Sequence, residues 1–387
     1  MHSTPELPDP VVATYGSADP AAPLVVLLHG RGSNEEQILT AAPHLPDGPQ
    51  YAAVRAPIAE GGGYAWFANR GIGRPVAESL RLTMDWFRRW LDDVAPAGRP
   101  VLLVGFSGGA AFAGGLALDD PRRYDGAAVL YGTLPFDAGV PTDRGRLANL
   151  PVLVAQGVDD HVIPRELLDR TWSYLHGESG APTIGRRQPG GHELSATTLQ
   201  HVGSWIAQRL DFLSRFGRVP TGPQARPQWA TLPGGELPQR TGLGPDVSTS
   251  IPQQQLSDTS PAHLQEQLFA RVSALAGVAV EPSRISVPGA RAFTVRDGSS
   301  NAQAFLVPEV GEFAHLHPEH DGSLHLALPV ELATDVTAQG WGRPHMWAGT
   351  RLSPGFVMVF GPRDETELEV VFGIVAASYA SARDAGV

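Results

Sequence analysis

The chain contains no cysteine and no lysine. Without cysteine there can be no disulfide, no thiolate nucleophile and no cysteine-ligated metal. Without lysine there can be no Schiff-base residue and no Ser-Lys dyad. With Ala, Gly and Pro abundant, the all-arginine usage reads as genomic codon bias. Charged residues make up only 18% of the 387, and the net charge of −11 argues against a nucleic-acid partner, which would need a basic face. No apolar run approaches the ~20 residues that span a bilayer. The opening MHSTPELPDPVV lacks the basic and apolar regions of a secretory signal. A cytoplasmic globular protein is expected, and at 42% hydrophobic content the chain can build two or three domains with real cores.

The most informative stretch is Val101 to Ala111, VLLVGFSGGAA. An apolar strand-like run leads into Gly-x-Ser-x-Gly, and a small-residue, helix-compatible run follows. Such a turn pushes the Ser107 hydroxyl out at the carboxyl end of a sheet, above a helix N-terminus, where glycines keep bulky Cβ atoms away. A serine nucleophile also needs a base, an orienting acid and an oxyanion hole, and on this kind of fold the order is Ser, then Asp or Glu, then His. PVLVAQGVDDHVIP supplies two adjacent aspartates, Asp159 and Asp160, after a strand; consecutive side chains there point apart, so only one can face a histidine. QPGGHEL places His192 in a loop between a strand and the last helix of the region. His161 and His201 are poorer bases, one beside the acid and the other within a helix. His29-Gly30-Arg31-Gly32 follows an early strand and offers the Arg31 N–H as an oxyanion donor beside that of Gly108. The Arg31 guanidinium is a further candidate for a substrate carboxylate.

Strands alternate with helices from Pro23 to Leu210, with strands at Pro23–His29, Tyr51–Pro57, Val101, Ala127–Tyr131, Pro151–Gln156 and Thr183–Gln188, and helices at Glu78–Val94, after Ser107, at Arg165–His176 and at Ala196–Leu210. That alternation indicates a mostly parallel sheet covered on both faces. The expected organisation is a catalytic domain over residues 1–216, a Pro/Gly-rich linker or wrapping segment over 217–260, and a smaller α+β domain over 261–387. In the last, Ser260 is a candidate N-cap with Pro261 at the first helical position. Strands are expected at Arg284–Val287, Ala290–Val295, Ala304–Val307, Glu312–His317, Ser323–Leu328 and Val357–Phe360, with helices at Val330–Gln339 and Asp364–Tyr379.

Together LLHGRGSNEEQIL, RAPIAEGGGYAWF, GFSGGAAFA, QGVDDHVIP and GGHEL resemble the phospholipase/carboxylesterase family of α/β-hydrolases, which includes acyl-protein thioesterases and bacterial carboxylesterases. The resemblance covers about Pro23 to Leu210. It implies an α/β-hydrolase fold, hydrolysis of short to medium acyl esters through an acyl-enzyme, and no cofactor. It gives the triad roles to Ser107, Asp160 and His192, the oxyanion roles to the Arg31 and Gly108 N–H groups, and pocket-lining roles to Tyr64, Trp66 and Phe67. Gln156 stands where the family often has a histidine, and the family usually has no second domain. Acyl thioesterase and lysophospholipase are the rival readings within the class.

The second domain carries FAHLHPEHDGSLHLALP. Read as a hairpin, it puts Ala314, Leu316, Leu324, Leu326 and Leu328 on one face and His315, His317 and His325 on the other. An exposed or partner-covered polar face, with the histidines bonded to one another or to a carboxylate, is the plain expectation. No metal is assigned, but these three are the candidates for one, with His345 as a possible fourth ligand. SRISVPGARAF, this hairpin and VMVFGPRDETELEVVFGIVAASY resemble the bacterial "luciferase domain" family, whose label implies no light emission. A binding or sensor protein working through this domain is the rival from a different class. The expected partner is a small-molecule ester, and homo-oligomerisation stays open.

Overall fold

The computed structural model describes residues 7–297 and 300–383. The first six residues of the opening segment lie outside that range. The chain divides into two compact units, Met1–Gly222 and Pro223–Val387. No helix among the described residues is long and apolar enough to cross a membrane.

The first unit is built on a seven-stranded sheet: β1 (Val12–Gly16), β2 (Leu24–Leu28), β3 (Gln50–Val54), β4 (Val101–Phe106), β5 (Gly126–Leu130), β6 (Val152–Gly157) and β7 (Thr183–Gln188), in spatial order β1-β3-β2-β4-β5-β6-β7. All neighbours pair in parallel except β1 with β3. Strands β2, β4, β5 and β6 are buried throughout or nearly so, as continuous apolar runs in a two-sided sheet require. Alternation assigns the faces. Val101 and Leu103 point to a core shared with Met84 and Phe87 of α2 (Ala77–Val94) and Phe112 of α3 (Gly108–Asp119). Leu102 points the other way, towards Trp205 of α5 (Ala196–Phe216), whose ring lies 3.0 Å from where a Cβ on Gly126 would sit. A short helix α1 (Glu35–Leu39) follows β2, and α4 (Arg165–Gly177) joins β6 to β7. This is the α/β-hydrolase architecture. The antiparallel edge strand β1 carries little sequence signal, because VATYG is only half buried and lacks a long apolar run.

The second unit has a six-stranded antiparallel sheet: β8 (Val278–Pro282), β9 (Arg291–Val295), β10 (Glu312–Leu316), β11 (Leu324–Ala327), β12 (Gly342–Pro344) and β13 (Phe356–Val359), in order β8-β9-β10-β11-β13-β12. One face buries Phe313, Leu316, Leu324 and Val357 against α6 (Ala262–Ser273), α7 (Val330–Ala338) and α8 (Glu365–Ala382). Several sequence expectations are corrected here. Arg284–Val287 is a loop and the strand lies earlier, at β8. Ala304–Val307 is no strand, since Ala302–Ala304 forms a 3-10 turn. Helix α6 begins one residue late, with Pro261 in the capping position and the Ser260 hydroxyl buried without a partner among the described residues. Residues 223–260 do not float: Trp229 and Leu237 enter this unit's core, and the Trp229 indole N–H donates to Asp335 Oδ2 at 2.8 Å.

Candidate active site

Strand β4 runs straight into α3, and Ser107 between them has φ 56° and ψ −116°. A non-glycine residue at positive φ is strained and persists only where its surroundings impose it. Here the two motif glycines impose it. A Cβ on Gly105 would sit 2.2 Å from the Gly109 carbonyl oxygen, and one on Gly109 would sit 2.1 Å from that of Leu28. The turn can be this tight only without side chains at either position.

The loop after β7 carries His192 over this turn. Its Nε2 lies 2.8 Å from Ser107 Oγ, and its Nδ1 lies 2.8 Å from Asp160 Oδ2. The carboxylate is held in turn, since Asp160 Oδ1 accepts from the N–H groups of Val162 and Ile163 at 2.9 and 3.1 Å. The Asp160 side chain is wholly buried, whereas Asp159 is exposed at the loop surface. Phe106 and Tyr131 flank the His192 ring, with centroids 5.2 and 6.4 Å away. His161 is exposed, and His201 Nδ1 accepts from the Gln188 amide N–H at 2.9 Å instead, so neither approaches Ser107.

The His29–Gly32 loop borders the same space. A Cβ on Gly108 would lie 3.3 Å from the Arg31 nitrogen. Neither the Arg31 nor the Gly108 N–H donates to a protein acceptor among the described residues. His29 braces the loop: Nδ1 lies 2.7 Å from the Gly30 carbonyl, Nε2 accepts from the Ala56 N–H at 3.0 Å, and its own carbonyl takes the Trp66 indole N–H at 2.8 Å. Burial holds the His29 pKa below the usual imidazole range, against the opposing hydrogen bond to Gly30. The folded state therefore resists a proton that the unfolded chain accepts near pH 6.5. Stability of the first unit falls as the pH drops below that value, and His29→Gln flattens the dependence. Unfolding free energies measured between pH 7.5 and 5 check this; equal slopes for parent and variant contradict it.

A cavity of about 530 Å³ opens beside Ser107, lined by Ile38, Phe67, Ile72, Ile163 and Leu194 among others. Of the three aromatics expected here, only Phe67 lines it. Trp66 is buried and stacks on Phe112 with centroids 4.4 Å apart, and Tyr64 lies under the Arg55 guanidinium. The Arg31 guanidinium is also committed elsewhere, forked onto the Glu60 carboxylate and bonded to the Phe67 carbonyl. Ile72, Ile163 and Leu194 had no sequence signal, because single aliphatics in loops look like any surface residue.

A β-strand, a strained serine turn and a helix, with Ser, Asp and His in that order, define an α/β-hydrolase. The chain belongs to the phospholipase/carboxylesterase family, whose model matches residues 10–210, and this region is that of an ester hydrolase. It is 31% identical over 145 residues to the carboxylesterase SOBER1 of Arabidopsis thaliana, covering 36% of this chain and 63% of that one. The Bacillus cereus carboxylesterase structure is 22% identical, with a TM-score of 0.46, covering 51% of this chain and 93% of that one. Residues 310–378 match the luciferase-domain model. There the chain is 44% identical over 71 residues to the luciferase of Armillaria ostoyae, spanning 17% of this chain but only 26% of that protein.

In the second unit the histidine face is buried, contrary to the expectation of an exposed or partner-covered one. His315, His317, His325 and His345 are all at most 6% exposed. His315 and His325 sit directly opposite on β10 and β11. Burial pushes the pKa values of His315, His325 and His345 down, that of His345 to about 3.

Proposed function

We propose that the first unit is a serine esterase acting on carboxylic esters of short to medium acyl chain. Ser107 Oγ attacks the ester carbonyl while its proton passes to His192 Nε2. Asp160 accepts the Nδ1–H, fixing the tautomer and favouring the imidazolium that forms. The oxyanion is held by the Arg31 and Gly108 N–H groups. Collapse of the tetrahedral intermediate expels the alcohol, which takes the proton from His192, and leaves an acyl ester on Ser107. Water then attacks that ester, giving its proton to His192, and the acid departs as Ser107 regains its hydrogen. The single observation that carries this reading is the continuous hydrogen-bond chain from Ser107 through His192 to a buried Asp160 at the mouth of an apolar cavity.

A phosphonate ester probe tests it: mass spectrometry should find one adduct per chain, on Ser107, and labelling elsewhere or none at all refutes the assignment. Chain length follows from the walls. Ile72 and Phe67 line the cavity, and a buried CH₂ contributes about 0.8 kcal/mol. Ile72→Ala should move the optimum of a p-nitrophenyl ester series to longer acyl chains by one or more carbons. An unchanged optimum would show that the acyl group lies elsewhere. Thioester and lysophospholipid substrates compared in the same assay rank the rival activities. Location in the cytoplasm completes the proposal.

A further inference from the structure

We propose that the second unit holds a divalent first-row transition metal between His315, His317 and His325. One ring nitrogen from each lies within 4.8 Å of those of the other two, and all three rings are buried. Two of the rings are set up as ligands set each other up in metal sites, with a carboxylate behind the imidazole. His315 Nδ1 lies 2.8 Å from Glu312 Oε1, and His317 Nδ1 lies 2.6 Å from Asp321 Oδ2. Each Nδ1–H donates to its carboxylate, so each Nε2 is left with its lone pair.

His325 shows what the cluster lacks. Its Nδ1 lies 3.2 Å from His315 Nε2, and its Nε2 is buried with no partner among the described residues. If Nδ1 carries the proton, it satisfies His315 and leaves the Nε2 lone pair orphaned. If Nε2 carries the proton, that donor is orphaned and two lone pairs face each other across 3.2 Å. Neither tautomer satisfies the pair. A cation shared by His315 Nε2 and His325 Nδ1 turns the two opposed lone pairs into ligands and leaves the His325 proton on Nε2; with metal–nitrogen bonds of about 2.1 Å the edge of a tetrahedral site is about 3.4 Å, close to the 3.2 Å between these two nitrogens.

Charge points the same way. Glu312 and Asp321 are buried, and the ion pairs each makes are to these histidines alone among those found in the described residues. Serine hydroxyls and backbone N–H groups complete their shells: Ser283 and Arg284 for Glu312, Ser323 and Gln255 for Asp321. Two buried carboxylates behind imidazoles are balanced by one dication. An all-imidazole donor set suits Zn²⁺, Fe²⁺, Ni²⁺ or Cu²⁺ rather than Mg²⁺ or Ca²⁺, which prefer oxygen. His345, the candidate fourth ligand, packs against His325 with centroids 5.4 Å apart but has its Nδ1 lone pair taken: Nδ1 accepts from the Trp347 N–H at 3.2 Å, placing its proton on Nε2.

The test uses the full-length, tag-free chain, stripped with chelator and reloaded with Zn²⁺ or Co²⁺. One equivalent per chain should survive gel filtration, and the Co²⁺ form should absorb in the visible range. His325→Gln should abolish stoichiometric uptake. Glu312→Gln and Asp321→Asn, which keep shape and volume, should weaken Zn²⁺ binding 10–100-fold, so the proposal remains testable if the histidine variant fails to fold. A parent chain that retains neither metal overturns it, as does a folded His325→Gln chain that binds as tightly as the parent.

Discussion

Ser107→Ala lowers turnover of p-nitrophenyl esters by about 10⁴-fold or more while the fold persists, because loss of a triad member leaves only the oxyanion hole and binding to act. Alanine also relieves nothing at the turn: the strained φ of 56° is held by the backbone contacts of Gly105 and Gly109, not by the hydroxyl. The variant should therefore melt close to the parent. Parallel measurement of turnover and melting temperature separates the two effects. Undiminished turnover sinks the serine mechanism outright.

Glu367→Ala should destabilise the second unit by about 3–5 kcal/mol, the cost of stranding a buried charge. Glu367 Oε1 and Oε2 accept from Arg240 Nε and Nη2 at 3.2 and 3.0 Å, and the side chains of both residues are buried. Arg363 adds its Nε at 2.9 Å and its backbone N–H at 3.0 Å. Burial opposes ionisation of Glu367, but hydrogen bonds from Arg363 and Arg240 outweigh it and hold the carboxyl below its usual range. That stabilisation is present above the ordinary carboxylate pKa and is lost as the pH falls through the depressed one. Alanine removes it at every pH and leaves Arg240 unpaired between the Trp341 and Phe360 rings. Replacing both partners, as Arg240→Met with Glu367→Leu, should recover most of the loss, because the penalty lies in the stranded charge rather than in the missing pair. Urea unfolding with hydrogen exchange read over α8 measures both. A loss below about 1 kcal/mol for the single variant contradicts the buried-charge argument.

The legibility of this chain divides along a physical line. The alternation of buried apolar runs with amphipathic helices was visible because a two-sided parallel sheet forces it on the local sequence. So were Ser107 and its glycines, since a tight strand-to-helix turn tolerates few residue types. The choice of Asp160 over Asp159 came from resemblance, and its physical basis is tertiary: only Asp160 is buried against His192, clamped by the N–H groups of Val162 and Ile163. The pocket lining is not legible in GYAWF, because the run does not reveal which aromatic turns inward. Trp66 is taken by Phe112 and the His29 carbonyl, Tyr64 by Arg55, and Phe67 is left for the cavity.

The sequence by itself determined the alternating α/β core, the nucleophile turn, the order of the candidate triad and the alternation that sets three histidines on one sheet face. These are consequences of backbone geometry and side-chain period, which neighbours in the chain dictate. Only the tertiary structure decided that the histidine face is buried and backed by Glu312 and Asp321. It also decided that Arg31 spends its guanidinium on Glu60, and that residues 223–260 deliver Trp229 and Arg240 into the second unit's core. Each of these depends on which distant residue arrives to bury a surface or satisfy a charge, and separation along the chain carries no record of that meeting.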